Sequence, residues 1–184
     1  MKFIILMFFS SCLFGNNLRL IATESNGFAI YRSGKPKAKD MSELCNKNIE
    51  EMMVLSGTAD EHEFKYQEYC PTLKVTFNKA SSARVALTDS FLKEFDTWVE
   101  DAKRKGKKIA FRCECGCHRT GRLAAYYQMK YQGITSTDAI AIMNKHGKYM
   151  FIHPQLPPQV RALENFIKNE PCSEKQKHCV QATL

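Results

Sequence analysis

The chain has 184 residues, 44% hydrophobic and 25% charged, with eight cysteines and a formal net charge of +8. That length suits one domain with a full core, and the composition is that of a globular protein, which excludes a disordered or collagen-like chain. The basic balance favours an anionic partner. No nucleic-acid-binding motif accompanies it, so a phosphorylated small molecule is expected and nucleic acid is not.

Met1-Lys2 and the apolar run Phe3 to Phe14 open the chain. The run is too short to span a bilayer as a helix and reads as a secretory leader over residues 1–15, with 16–184 as one domain, secreted or periplasmic. Removing Lys2 with the leader leaves about +7. The alternative is a buried N-terminal strand or helix. Gly15 is a candidate last leader residue, although Leu13 fits the −3 position poorly. Phe9-Ser10-Ser11-Cys12 is a weak lipoprotein box that would anchor the mature chain through Cys12. No stable membrane span is expected.

Phe28 to Arg32 reads as a strand. Asp40 with Glu43 reads as a capping-box start for a helix holding Leu44 and Ile49. Met52 to Leu55 and Leu73 to Phe77 read as further strands. Thr88 or Asp89 starts a helix whose Phe91, Phe95, Trp98, Val99 and Ala102 share one face, and Gly106 ends it after a solvated lysine run. Lys108 to Phe111 is the central strand, and a helix from Arg119 ends at Gly133. Thr135 and Asp138 cap the next helix, which ends at Gly147, and Pro157-Pro158 open a last helix. Strands alternating with helices predict a three-layer α/β fold with a mostly parallel central sheet flanked by helices.

Between the central strand and its helix lies Cys113-Glu114-Cys115-Gly116-Cys117-His118-Arg119-Thr120-Gly121. Strand, tight loop and helix together let a nest of backbone N–H groups wrap a phosphate at a helix N-terminus. Gly116 allows backbone angles that a Cβ forbids. The nest and the following helix should lower the Cys113 pKa and make it a thiolate nucleophile. Arg119 can hold two phosphoryl oxygens through its planar fork. The Thr120 hydroxyl can assist departure of the sulfur. The chemistry predicted is phosphoryl transfer to sulfur and then to water, with no metal and no cofactor. The three alternating cysteines lack a second ligand pair for zinc, and Arg112 and Arg119 would repel a cation. Glu114, Cys115, Gly116, Cys117 and His118 line the expected loop, with Glu114 turned away toward a base. Arg84, Arg122, Lys148 and Lys79 are candidates for distal phosphates. Cys45, Cys70, Cys172 and Cys179 could form disulfides in an oxidising compartment, with no pairing deducible.

This segment resembles the signature of the cysteine-dependent phosphatases, the protein tyrosine and dual-specificity superfamily. His118-Arg119-Thr120-Gly121 is similar to the plant and fungal atypical dual-specificity phosphatases. Cys113-Glu114-x-Gly116-x-x-Arg119-Thr120 is similar to the bacterial phytases of tyrosine-phosphatase fold. Tyr31-Arg32-Ser33-Gly34-Lys35-Pro36 resembles the opening of such domains. The resemblance implies a tyrosine-phosphatase-like fold and a phosphomonoester hydrolase acting on inositol polyphosphates. Protein phosphatase activity and weak phosphate binding are the alternatives.

Two positions depart from the pattern. Arg112 stands where the superfamily usually has a histidine before the nucleophile. The usual upstream aspartate, the general acid, is missing from Asn78 to Arg84. The nearest candidate is Asp89, as acid or as helix cap.

Overall fold

The computed structural model describes residues 17–148 and 150–183. The leader and the lipoprotein box therefore lie outside the described residues. Among the described residues, five strands form one sheet: β1 (Arg19–Thr23), β2 (Ala29–Ser33), β3 (Glu51–Val54), β4 (Lys74–Asn78) and β5 (Lys108–Arg112), in the order β1-β2-β5-β3-β4. β2, β5, β3 and β4 are mutually parallel, and β1 adds an antiparallel edge through its hairpin with β2. β1 is not among the strands expected above.

The helices are α1 (Ala38–Asn46), α2 (Asp89–Lys105), α3 (Arg119–Gln132), α4 (Ser136–His146) and α5 (Leu156–Ile167). Alternation along the strands sorts side chains to two faces. Met52, Val54 and Ala110 pack with Met41 and Leu44 of α1. Ile30, Met53, Ile109 and Phe111 pack instead with Phe95 and Val99 of α2, Leu123 and Tyr127 of α3, Met143 of α4 and Val160 of α5. The result is three layers around a mostly parallel sheet.

Local chemistry sets the helix ends. The Thr88 hydroxyl accepts from the Phe91 N–H at 3.2 Å and caps α2, and Gly106 closes it in the left-handed region at φ 64°. Asp40 is not the start of α1. It stands at the third helical position and accepts from the Lys37 N–H at 2.9 Å, so Lys37 is the cap and the helix ends before Ile49.

Candidate active site

The core strand β5 delivers the chain to a loop at the carboxyl edge of the sheet, where open α/β sheets place their ligands. Cys113 follows directly and is 1% exposed. Gly116 has φ 69°, and a Cβ there would lie 2.6 Å from Ser33 C and Gly34 N. Only glycine fits both demands. The Gly116 carbonyl accepts from Arg32 Nη2 at 2.6 Å and from the Asn17 amide at 3.2 Å, while the Lys35 N–H donates to the Glu114 carbonyl at 2.9 Å. These bonds turn loop carbonyls outward, away from the anion that the N–H groups would receive.

A cleft of about 450 Å³ opens over the loop, lined by Cys113, Arg119, His118, Arg84 and His153 among others. Arg119 Nη1 donates to the Leu55 and Ser81 carbonyls at 3.0 and 3.2 Å, which fixes its guanidinium against the segments following β3 and β4. The Glu114 carboxylate pairs with Lys35 at 3.1 Å and accepts from the Thr58 hydroxyl at 3.1 Å. His118 Nε2 bonds the Lys148 carbonyl at 2.8 Å, and its ring lies 3.9 Å from that of His153. The Gln155 amide nitrogen donates to the Ala83 carbonyl and meets His153 Nδ1 at 3.2 Å, which leaves the imidazole proton on Nε2.

The thiols interact with each other. The Cys115 side chain and burial push Cys113 up to about 12, against the opposing pull of the Thr120 hydroxyl and N–H. Hydrogen bonding from Cys115, aided by the Lys148 backbone and Arg32, pulls Cys117 down to about 7. Burial and Cys115 thus oppose the depression of the Cys113 pKa expected from the nest and helix, while Cys117 is drawn the other way. The Thr120 hydroxyl is buried and has no other partner among the described residues.

Residues 30–166 match the catalytic domain of the dual specificity phosphatases. The chain belongs to that phosphatase family. A search of curated proteins finds no significant match. Among solved structures, the phosphatase is similar to the PP-IP phosphatase SIW14 of S. cerevisiae, at 17% identity and TM-score 0.63 over 83% of this chain and 89% of that one. P. aeruginosa TpbA, solved with phosphotyrosine, matches at 18% identity and TM-score 0.59 over 82% and 96%. PTPMT1, solved with PI(5)P, matches at 12% identity and TM-score 0.59 over 83% and 97%. At these identities the likeness establishes the fold.

Several expected site residues of this phosphatase fall elsewhere. Asp89 is not among the residues lining the cleft. Its carboxylate accepts from the Thr183 N–H and hydroxyl at 3.0 and 2.7 Å and pairs with Lys93 at 3.6 Å, tying α2 to the C-terminal segment. Arg122 is 1% exposed and is spent on the Ser82 and Val85 carbonyls and the Gln159 side chain, so it braces the 82–85 segment and cannot reach a distal phosphate. Lys148 contributes its carbonyl to His118, and its side chain does not line the cleft. Lys79 lies over the Phe77 ring instead. Cys117 is fully buried and Gly116 serves the loop backbone, so neither side faces the cleft. Arg84, Cys115, Glu114 and His118 do line it.

Sequence reasoning missed His153, Arg32 and Glu63. Arg32 stands inside the Tyr-Arg-Ser-Gly motif, which was a usable signal. Glu63 and His153 reach the site from irregular segments and left no pattern. Glu63 meets Arg112 behind the loop, Arg112 Nε donating to Glu63 Oε1 at 2.7 Å.

Proposed function

We propose that this cysteine-based phosphatase hydrolyses inositol polyphosphates. The observation that carries the reading is the make-up of the cleft: beyond Cys113 and Arg119 it presents Arg84, His118 and His153, while Glu114, the one carboxylate among its described lining residues, pairs with Lys35. A single phosphoryl group needs the loop and Arg119. Arg84 and the His153 Nε2–H are further donors, suited to a neighbouring phosphate. The basic charge of the chain supports a polyanionic substrate, and so does its likeness to a PP-IP phosphatase.

In this reading a dianionic phosphoryl oxygen of the substrate takes the Cys113 proton, and the resulting thiolate attacks phosphorus in line with the leaving oxygen. Arg119 and the loop N–H groups hold the equatorial oxygens, and water then cleaves the S–P bond. A proton must reach the departing alkoxide. With Asp89 facing the C-terminal segment, a protonated neighbouring phosphate of the ring, or water, supplies it.

The test compares phytate with a phosphotyrosine peptide. Phytate should have the higher kcat/KM, and Arg84→Gln should lower it about tenfold or more, the worth of one charged hydrogen bond, while sparing an aryl phosphate. Preference for the peptide, with Arg84→Gln neutral on both substrates, would refute the proposal.

We also propose that the protein works outside the cytosol. The apolar start of the chain is the first support. The second is a pair of disulfides remote from the loop, Cys45–Cys70 and Cys172–Cys179, with Cα separations of 5.2 and 6.0 Å. Cell fractionation decides this; recovery of full-length protein in the cytosol with free thiols at all four positions defeats it.

A further inference from the structure

The mouth of the Cys113 cleft carries exposed apolar side chains on two segments. Arg84 and His153 line the cleft. Val85, 50% exposed, follows Arg84, and Phe151 and Ile152, 80% and 57% exposed, precede His153. The Gln155 amide on the Ala83 carbonyl at 3.1 Å and the Gln159 amide on the Arg84 carbonyl at 3.3 Å tie the two segments together. The turn itself holds Phe151 and Ile152 outward. Met150 before them packs against the core, Leu156 after them is fully buried, and the His153 N–H closes the turn on the Met150 carbonyl at 3.0 Å. Single apolar side chains scattered over a surface are ordinary, but a consecutive pair held outward at the mouth of a polar cleft calls for a partner surface.

The same two segments are basic. No Asp or Glu occurs between Glu68 and Asp89, or between Asp138 and Glu164, while Arg84, Lys145 and Lys148 are exposed there. The Glu114 carboxylate in the cleft is paired with Lys35. Apolar tips set among cations, with no acid between them, match a bilayer whose headgroups are anionic and whose interior is apolar. A stable protein partner would need about 800 Å² of complementary surface, more than three side chains offer, whereas a bilayer takes up side chains one at a time.

We propose that this rim docks the phosphatase on an anionic lipid surface. Ile152, Phe151 and Val85 enter the boundary between headgroups and acyl chains, and Arg84, Lys145 and Lys148 lie among the headgroups. The Cys113 cleft then opens toward the membrane.

The one tryptophan of the chain, Trp98, supplies a control. It donates to Glu51 at the amino end of β3, the sheet edge opposite the cleft. Ile152→Trp in the full-length chain adds a reporter at the rim. On equimolar phosphatidylcholine and phosphatidylglycerol vesicles with brominated acyl chains, the Ile152→Trp protein should lose emission while the wild-type emission holds. In that reporter chain, Phe151→Ser and, independently, Lys145→Gln with Lys148→Gln should each raise the lipid concentration for half-quenching roughly tenfold. Aryl phosphate turnover without lipid should be unchanged in each, which shows that they fold. No quenching of the rim reporter, quenching that neither change weakens, or equal quenching on pure phosphatidylcholine would overturn the proposal. A blue shift that grows with protein concentration in the absence of lipid would assign the rim to a second copy of this chain and overturn it as well. The reporter reads lipid contact at position 152, so the result is separate from phytate turnover and from any anchoring through residues 1–15.

Discussion

Arg112 and Glu63 form an ion pair in which neither side chain has any solvent exposure, directly behind the nucleophile position. Arg112 completes its bonding with the Ser56 hydroxyl at 2.6 Å and the Thr58 hydroxyl at 3.0 Å. The arginine that replaces the superfamily's usual histidine therefore faces away from the cleft and clamps the segment after β3 to the end of β5. Removing one partner strands a buried charge, so Glu63→Gln should cost about 3–5 kcal/mol. Chemical denaturation measures it, and a loss under about 1 kcal/mol would show that the pair does not hold this corner. The double change Arg112→Met with Glu63→Leu should be far milder, because it removes both charges.

Cys113→Ser should abolish turnover while keeping oxyanion binding, since a serine hydroxyl is not ionised here. Arg119→Lys should be nearly as severe, because an ammonium cannot make the bidentate contact or hold both the Leu55 and Ser81 carbonyls. Steady-state kinetics with an aryl phosphate in the presence of a chelator measure both. Turnover near wild type in either variant would remove that residue from the mechanism.

Cys115→Ala should move two thiols in opposite directions. The Cys115 side chain is the leading cause that raises Cys113, so its loss lowers the Cys113 pKa from about 12. The same side chain is the leading cause that lowers Cys117, so Cys117 should rise from about 7 toward its ordinary value. Alkylation by iodoacetamide across pH, read by peptide mapping, should show the Cys113 inflection moving down and the Cys117 inflection moving up. Shifts of the same sign would rule out the sulfur-to-sulfur hydrogen bonding.

Asp89→Asn should scarcely change turnover of either an inositol phosphate or an aryl phosphate. Asparagine can still accept from the Thr183 N–H and hydroxyl, and the α2 cap is Thr88. A general acid would behave otherwise: its loss costs roughly 10²–10⁴ on an alkyl leaving group and little on an aryl one. Such a split would restore Asp89 to the mechanism.

The local grammar of the chain was legible because it depends on neighbours in sequence. Strand, glycine turn and helix around Cys113 and Arg119, the Thr88 and Thr135 caps, and the apolar face of α2 each follow from spacing within a few residues. That grammar sufficed for the sheet class, the strand–loop–helix around Cys113 and the superfamily. Other features depend on contacts across long separations, for which a sequence carries no ruler. Arg122 and Arg84 look alike in sequence, yet burial commits Arg122 to the 82–85 segment and leaves Arg84 at the cleft. Asp89 could be acid or structural until packing brought Thr183 to it, 94 residues away in the chain. The Cys113 pKa turns on where the Cys115 sulfur points, since that hydrogen bond and desolvation oppose the pull expected from the loop alone. Sequence determined which groups could do the chemistry. Tertiary packing decided which of them face the cleft and which are buried in its support.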